Sequence, residues 1–341
     1  MLQYVPILPQ KEEKEIPDLT DQPGQLLVVR SANQCIEDAK SQPIPNMLFS
    51  QLWYEGELCF LFAETNAGKS ILAIQIANSI SKGEAINGFK LEAPKQPVLY
   101  FDFELSDKQF EKRYSQNYLN HYQFDNNFLR IGINPDYSST GDFEAELFIE
   151  IERAILQYKA RVLIIDNLTY LKTQATETAK EALPLMKRLK DLKLKYDLSV
   201  LTLAHTPKRN LANPITKNDL AGSKHLANFT DSMFAIGESH QDKSLRYIKQ
   251  LKARATELIY DPENIILCEI AQHHNFLGFE FQDFGREQDH LKMLTDENID
   301  QMNDSILLLK KQHPHLPDRE IARQLGINPM KVGRVLKRNG V

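Results

Sequence analysis

Cysteine is scarce in this 341-residue sequence. Cys35, Cys59 and Cys268 are far apart and odd in number, which excludes both a disulfide framework and a zinc-ligand spacing and leaves them as small core residues. Long apolar runs are also missing, so no segment reads as a membrane-spanning helix. The opening MLQYVPILPQKEEKEIPD lacks the basic-then-apolar pattern of a secretory leader, and the expectation is a cytoplasmic chain with no membrane partner. The net charge of −5 hides an asymmetry. From Ser305 to Val341 there are eight Lys/Arg and two acids, a local +6, so the remainder carries −11. A basic tail on an acidic body is the footprint of a nucleic-acid-binding element, with a solvated charged helix as the plainer alternative.

What is present is alternation. Apolar runs at Leu58–Phe62, Pro97–Phe103, Arg161–Ile165 and Leu198–Ala204 are interleaved with helical patterns at Ser70–Ser81, Asp107–Asn117, Phe143–Tyr158 and Glu181–Lys195. Strands separated by helices imply a parallel sheet covered on both faces, because parallel strands need crossover connections. From Leu245 to Phe284 the segments are β-rich with no helix between them, which predicts antiparallel strands extending that sheet. Residues 1–43 read as an extended or partly disordered arm, 44–290 as the core, 291–302 as a linker and 303–341 as a separate small helical domain.

The segment LCFLFAETNAGKSILAIQIANSI has the order strand, tight loop, helix. Backbone N–H groups of Thr65, Asn66, Ala67, Gly68, Lys69, Ser70 and Ile71, at a helix N-terminus, would form an anion-binding concavity. Lys69 would reach the β/γ phosphates of ATP and Ser70 would ligate Mg²⁺. Ala63 stands where such loops usually begin with glycine. The run RVLIIDNLTYL delivers Asp166 at the C-terminal end of a buried strand, where open α/β sheets bind ligands, as a second Mg²⁺ holder. VLYFDFELSDKQF ends in two acids, Asp102 and Glu104. Glu104, last before the loop, is favoured to activate water, the alternative being that it caps the next helix near Ser106.

The order AETNAGKS, VLYFDFE, VLIIDNL, LTLAHT, GSKHLANFTDS and KQLKAR resembles the RecA-like ATPases, in the branch of plasmid-type hexameric replicative helicases, over about residues 44–284. The resemblance implies an ATP- and Mg²⁺-dependent homo-oligomer, a ring of six. It implies that Glu104 is the catalytic acid and that His205, after the fourth core strand, senses the γ-phosphate; a lone histidine is otherwise more often structural. It implies further that Lys252 and Arg254 reach across an interface to a neighbour's phosphate, against the alternative of ordinary surface charges on a strand. It places the loop carrying Lys208, Arg209, Lys217 and Lys224 along a channel for single-stranded DNA, although that loop has no aromatic residue for base stacking.

In the tail, PDREIARQLG presents Ile321, Ala322 and Leu325 on one face, Gly326 ends the helix, and a last helix turns Val332 and Val335 inward. This is the helix-turn-helix arrangement, with Lys331, Arg334, Lys337 and Arg338 on the outer face for duplex DNA. A small helical docking module would share the pattern. The reading is an α/β, RecA-like P-loop core with a mostly parallel sheet and a small all-α C-terminal domain, serving as an ATP-driven motor in plasmid or mobile-element replication or mobilisation. The alternative is an ATP-switched regulator or loader that does not unwind.

Overall fold

The computed structural model describes residues 27–339 except 140, 172–178, 208, 221–223, 293–295, 326 and 328. The chain divides into two units, Met1–Ile44 and Pro45–Val341. In the first, helix α1 (Ala32–Lys40) begins at Ser31, whose hydroxyl accepts from Gln34 N, and buries none of its residues.

The second unit opens with a ribbon of β1 (Met47–Phe49) and β2 (Trp53–Tyr54). There follow β3 (Leu58–Ala63), α2 (Lys69–Lys82), β4 (Val98–Asp102) and α3 (Asp107–Arg113). A second ribbon, β5 (Ser115–Gln116) with β6 (Asn120–His121), precedes β7 (Phe128–Ile131) and α4 (Phe143–Tyr158). The chain continues through β8 (Val162–Asp166), α5 (Ala179–Tyr196), β9 (Ser199–His205) and α6 (Lys224–Phe229). The remaining strands are β10 (Ser232–Glu238), β11 (Leu245–Lys252), β12 (Ile265–His273) and β13 (Phe276–Gly285). Helices α7 (Glu287–His290), α8 (Asp296–Gln312), α9 (Asp318–Leu325) and α10 (Pro329–Arg338) complete it.

Nine strands form one sheet in the order β13-β12-β11-β10-β3-β9-β8-β4-β7. From β10 to β7 every pairing is parallel; from β10 to β13 every pairing is antiparallel. The mixed α/β class and the mostly parallel sheet agree with the sequence pattern. All six β3 residues are buried. Leu58, Phe60 and Phe62 enter one core with Leu147, Ile151 and Ile155 of α4 and Leu185 and Leu189 of α5. Cys59, Leu61 and Ala63 enter the other, against Leu72, Ala73, Ile76 and Ile80 of α2. Period-2 alternation between two apolar faces is why a central parallel strand reads as an unbroken hydrophobic run. Each fully buried Leu or Phe contributes about 1.5–3 kcal/mol, and an acid at Leu61 would strand a charge in that core.

Helix ends are set locally. Gly83, at φ 72°, ends α2 and donates to Ile80 O and Ser79 O, and Ser106 with Gln109 forms a capping box that starts α3. Glu104 therefore does not cap that helix. Helix α3 stops at Arg113, short of the expected Asn117, because the chain turns into the β5–β6 ribbon.

Helices α8, α9 and α10 enclose a small core of Ile306, Ile321, Ala322, Ile327, Val332 and Leu336, with Leu325 and Val335 partly buried. Gly326, expected to end α9, lies outside the described residues. The stretch expected as a linker, 291–302, includes the start of α8, which extends the predicted helix toward its N-terminus: Met302 packs on the small core and gives those polar residues an anchor. No described helix is long and apolar enough to cross a membrane.

Candidate nucleotide-binding site

The loop between β3 and α2 is shaped by backbone conformations that only some residues tolerate. Asn66 (φ 66°) and Gly68 (φ 103°) are left-handed. A Cβ at Gly68 would lie 2.7 Å from Ile270 Cδ1 and 2.8 Å from Phe279 Cζ, so glycine alone fits. The substitution at Ala63 restricts nothing, because that residue is still in the strand, paired with His205 on one side and Ile236 on the other.

Lys69 is buried, and its ammonium donates to Ala63 O and Glu64 O, each at 3.0 Å, and lies 3.3 Å from His205 Nδ1. Burial lowers its pKa, while Asp166 and Glu104 act in the opposite sense. The lysine thus folds back over carbonyls at the end of β3 and the start of the loop.

Asp166, at the end of β8, is 1% exposed and register-paired with Asp102 of β4. Its pKa is pushed up to about 6 by burial, offset in part by hydrogen bonds from Ser70 and from the Tyr100 hydroxyl, the latter 2.7 Å from Oδ2. Asp102 is employed differently. It accepts from Glu104 N (3.1 Å) and Leu105 N (2.9 Å), and Arg130 Nε of β7 sits 2.8 Å from its Oδ2. An acid so fully engaged shapes the turn and is not available as a base.

Glu104 lies beyond that turn, half-exposed. Its Oε1 accepts from the Asn167 side chain and lies 3.4 Å from His205 Nε2, and Asn167 Nδ2 is 3.3 Å from the same histidine nitrogen. Hydrogen bonding from His205, outweighing burial, holds the Glu104 carboxyl below its usual range. Lys69, Ser70, Glu104, Asp166 and His205 thus meet at the C-terminal ends of β3, β4, β8 and β9, which lie in one parallel block. Tyr100, Asn167 and Arg130 join them without having been singled out from sequence. Tyr100 left one signal, a hydroxyl inside an apolar strand; Arg130, beyond the intervening ribbon, left none.

Lys252 and Arg254 are elsewhere. Lys252 pairs with Met233 at the start of β10, whereas the phosphate loop follows Ala63, which pairs with Ile236 further along. Met233 in turn pairs with Phe60, so three residues of strand, about 10 Å, and the intervening β10 separate Lys252 from the loop, while Arg254 binds Asp231, whose carboxylate accepts from Leu58 N at the opposite end of β3; neither reaches the loop of its own chain. The Lys252 ammonium donates to Ala227 O (2.7 Å) and Thr230 O (2.6 Å), closing the end of α6, and burial lowers its pKa. Arg254 is 56% exposed and pairs with Asp231 at 3.1 Å.

The loop expected to line a channel holds its basic residues in different settings. Arg209 is turned inward: its side chain is 8% exposed, its Nη1 donates to Asn213 O at 2.7 Å and its Nε lies 3.4 Å from Glu64 Oε1. It braces the phosphate loop. Lys217 is exposed on a short turn; Lys208 lies outside the described residues, as does the Lys224 side chain. Further along, Ile215 is clamped by a buried ion pair, its N donating to Glu287 Oε1 (2.7 Å) and its O accepting from Lys249 (2.7 Å).

A phosphate-type loop at a strand–helix junction, with a carboxylate on a nearby parallel strand, defines a P-loop ATPase-type site. Residues 28–210 match the AAA domain family, more than half of the chain, and the protein belongs to that family. The match spans the phosphate loop, Glu104, Asp166 and His205 and stops before β10. Comparison with curated proteins gives no match.

Ser70 and Asp166 fit Mg²⁺, being hard oxygen donors in contact with one another. Among the described residues no group of three or more His, Cys, Asp or Glu could hold a metal.

Proposed function

We propose that this protein binds and hydrolyses ATP and couples that cycle to DNA as a homo-oligomer. The observation that carries the reading is the convergence of Lys69, Ser70, Glu104, Asp166 and His205 at one end of the parallel strands. Lys69 exchanges the carbonyls of Ala63 and Glu64 for phosphate oxygens, with Ser70 and Asp166 holding Mg²⁺, which neutralises phosphate charge when bound. Glu104 takes the proton of the attacking water, and His205, touching both Lys69 and Glu104, reports the γ-phosphate to the loop that follows β9. Arg254, exposed and remote from its own loop, completes a neighbour's site, in a ring of six in keeping with the RecA-like resemblance. The C-terminal helices supply duplex contacts through Lys331, Arg334, Lys337 and Arg338, and the process served is plasmid or mobile-element replication or mobilisation.

A second reading, an ATP-driven switch or loader without processive unwinding, is favoured by one observation. Arg209 is committed to Glu64, which leaves fewer basic groups on the loop expected to track single-stranded DNA. Strand displacement at saturating ATP distinguishes the two, since only the motor unwinds. The common core is tested by Lys69→Ala and Glu104→Gln. Lys69→Ala should abolish turnover in a folded protein whose stability falls by only about 1 kcal/mol, the loss of the ammonium from Ala63 O and Glu64 O; Glu104→Gln should keep nucleotide binding and slow hydrolysis by roughly 100-fold or more. Wild-type turnover by Lys69→Ala would sink the assignment.

A further inference from the structure

Resting on the reading that Asp166 holds Mg²⁺, we infer that Tyr100 is the positioning residue for that carboxylate, fixing its rotation through the phenol hydroxyl. The strand VLYFD faces α2 with Val98 and Tyr100, and the tyrosine is fully buried in the core beneath that helix. A buried hydroxyl needs a partner, and its partner is Asp166 Oδ2 at 2.7 Å. The register explains the reach. Tyr100 pairs with Ile164, so Asp166 lies two residues further along the neighbouring parallel strand on the same face. Such a diagonal spans about 7–8 Å, which a phenol covers and a serine or threonine does not. The ring itself is held edge-on against Phe128, centroids 5.9 Å apart at 84°.

The contrast with Asp102 shows why a phenol stands here. Asp102 and Asp166 are register partners, yet Asp102 is neutralised by the Arg130 guanidinium and two backbone N–H groups. An arginine on Asp166 would compete with a divalent cation for the same charge. A neutral O–H donor restrains one oxygen, compensates part of the desolvation and leaves the carboxylate's charge for the cation. Tyr100 is fully buried, its hydroxyl engaged by Asp166, and acts through that carboxylate.

The test is Tyr100→Phe in the full chain, which keeps the ring and its packing. A fluorescent methylanthraniloyl-ADP probe is titrated without metal and over a Mg²⁺ series, with Asp166→Asn in parallel and a thermal unfolding curve for each variant. Tyr100→Phe should bind the probe normally without metal, while the Mg²⁺ concentration giving half the metal-dependent gain in affinity rises roughly 10-fold, the scale of a lost hydrogen bond to a charged group. Wild-type Mg²⁺ dependence in Tyr100→Phe, with that dependence lost in Asp166→Asn, overturns the positioning role. Equal weakening with and without metal overturns it too, by making Tyr100 a purely structural residue. Wild-type Mg²⁺ dependence in Asp166→Asn removes the metal-site reading itself.

Discussion

Basic residues of the sheet and of the last helix read alike in sequence and end in opposite circumstances. Around the sheet, Arg209, Lys249 and Lys252 are drawn inward onto Glu64, Glu287 and the carbonyls of Ala227 and Thr230. On α10, Arg334, Lys337 and Arg338 are exposed and make no ion pair among the described residues. The difference lies in what each backbone packs against. A lysine or arginine stem on a central strand or a loop folded over it has nowhere to go but toward a buried acceptor, whereas on a three-helix unit with a small core most side chains face water. A positive charge in sequence is thus evidence of DNA contact only where its surroundings leave it solvated.

The comparison is sharpest at Lys249. Replacing it with Met leaves the charge of buried Glu287 without its counter-ion and should cost about 3–5 kcal/mol in urea unfolding, while Lys249→Met with Glu287→Leu should recover only part of the loss, because Ile215 N and O then lose their partners. A cost below about 1 kcal/mol would show that the pair is solvated and the contrast with α10 overstated. Arg209→Ala should come next, at about 1–3 kcal/mol, since Asn213 O loses a donor and Glu64 its ion-pair partner. Its affinity for single-stranded DNA should keep the wild-type salt dependence in an anisotropy titration; a shallower slope would return Arg209 to the DNA-contact set. Lys252→Met, which leaves two carbonyls at the end of α6 without their ammonium, should cost about 1 kcal/mol by the same unfolding assay. Arg334→Glu with Arg338→Glu should move stability by less than about 0.5 kcal/mol. Basal ATP turnover should be unchanged, with duplex affinity falling and the salt slope becoming shallower. Unaltered duplex binding would assign the three helices to docking a protein.

Legibility followed the same physics. The runs at Leu58, Pro97, Arg161 and Leu198 foretold β3, β4, β8 and β9 because strands buried on both faces tolerate little but apolar residues. The β1–β2 and β5–β6 ribbons, two or three residues per strand, carry no period long enough to read. The beginning of α8, DENIDQMN, has too thin an apolar face to announce itself. At the site, the phosphate loop and Asp166 stood out because each sits at a strand end beside an unmistakable pattern. Choosing Glu104 over Asp102 rested on its position and on the RecA-like resemblance, and the geometry adds a physical reason, the engagement of Asp102 by Arg130 and the turn.

By itself the sequence determined the alternation of strands and helices, the phosphate loop and the charge asymmetry of the tail, since these depend on residue type and short spacing. Only the tertiary structure decided which charges remain in solvent, which of two nearby acids is tied to Arg130 and the turn and which to Asn167 and His205, and that a tyrosine on one strand holds an aspartate on the next. Those outcomes depend on register between strands and on contacts between residues such as Arg130 and Asp102, 28 positions apart, distances over which local pattern carries no information.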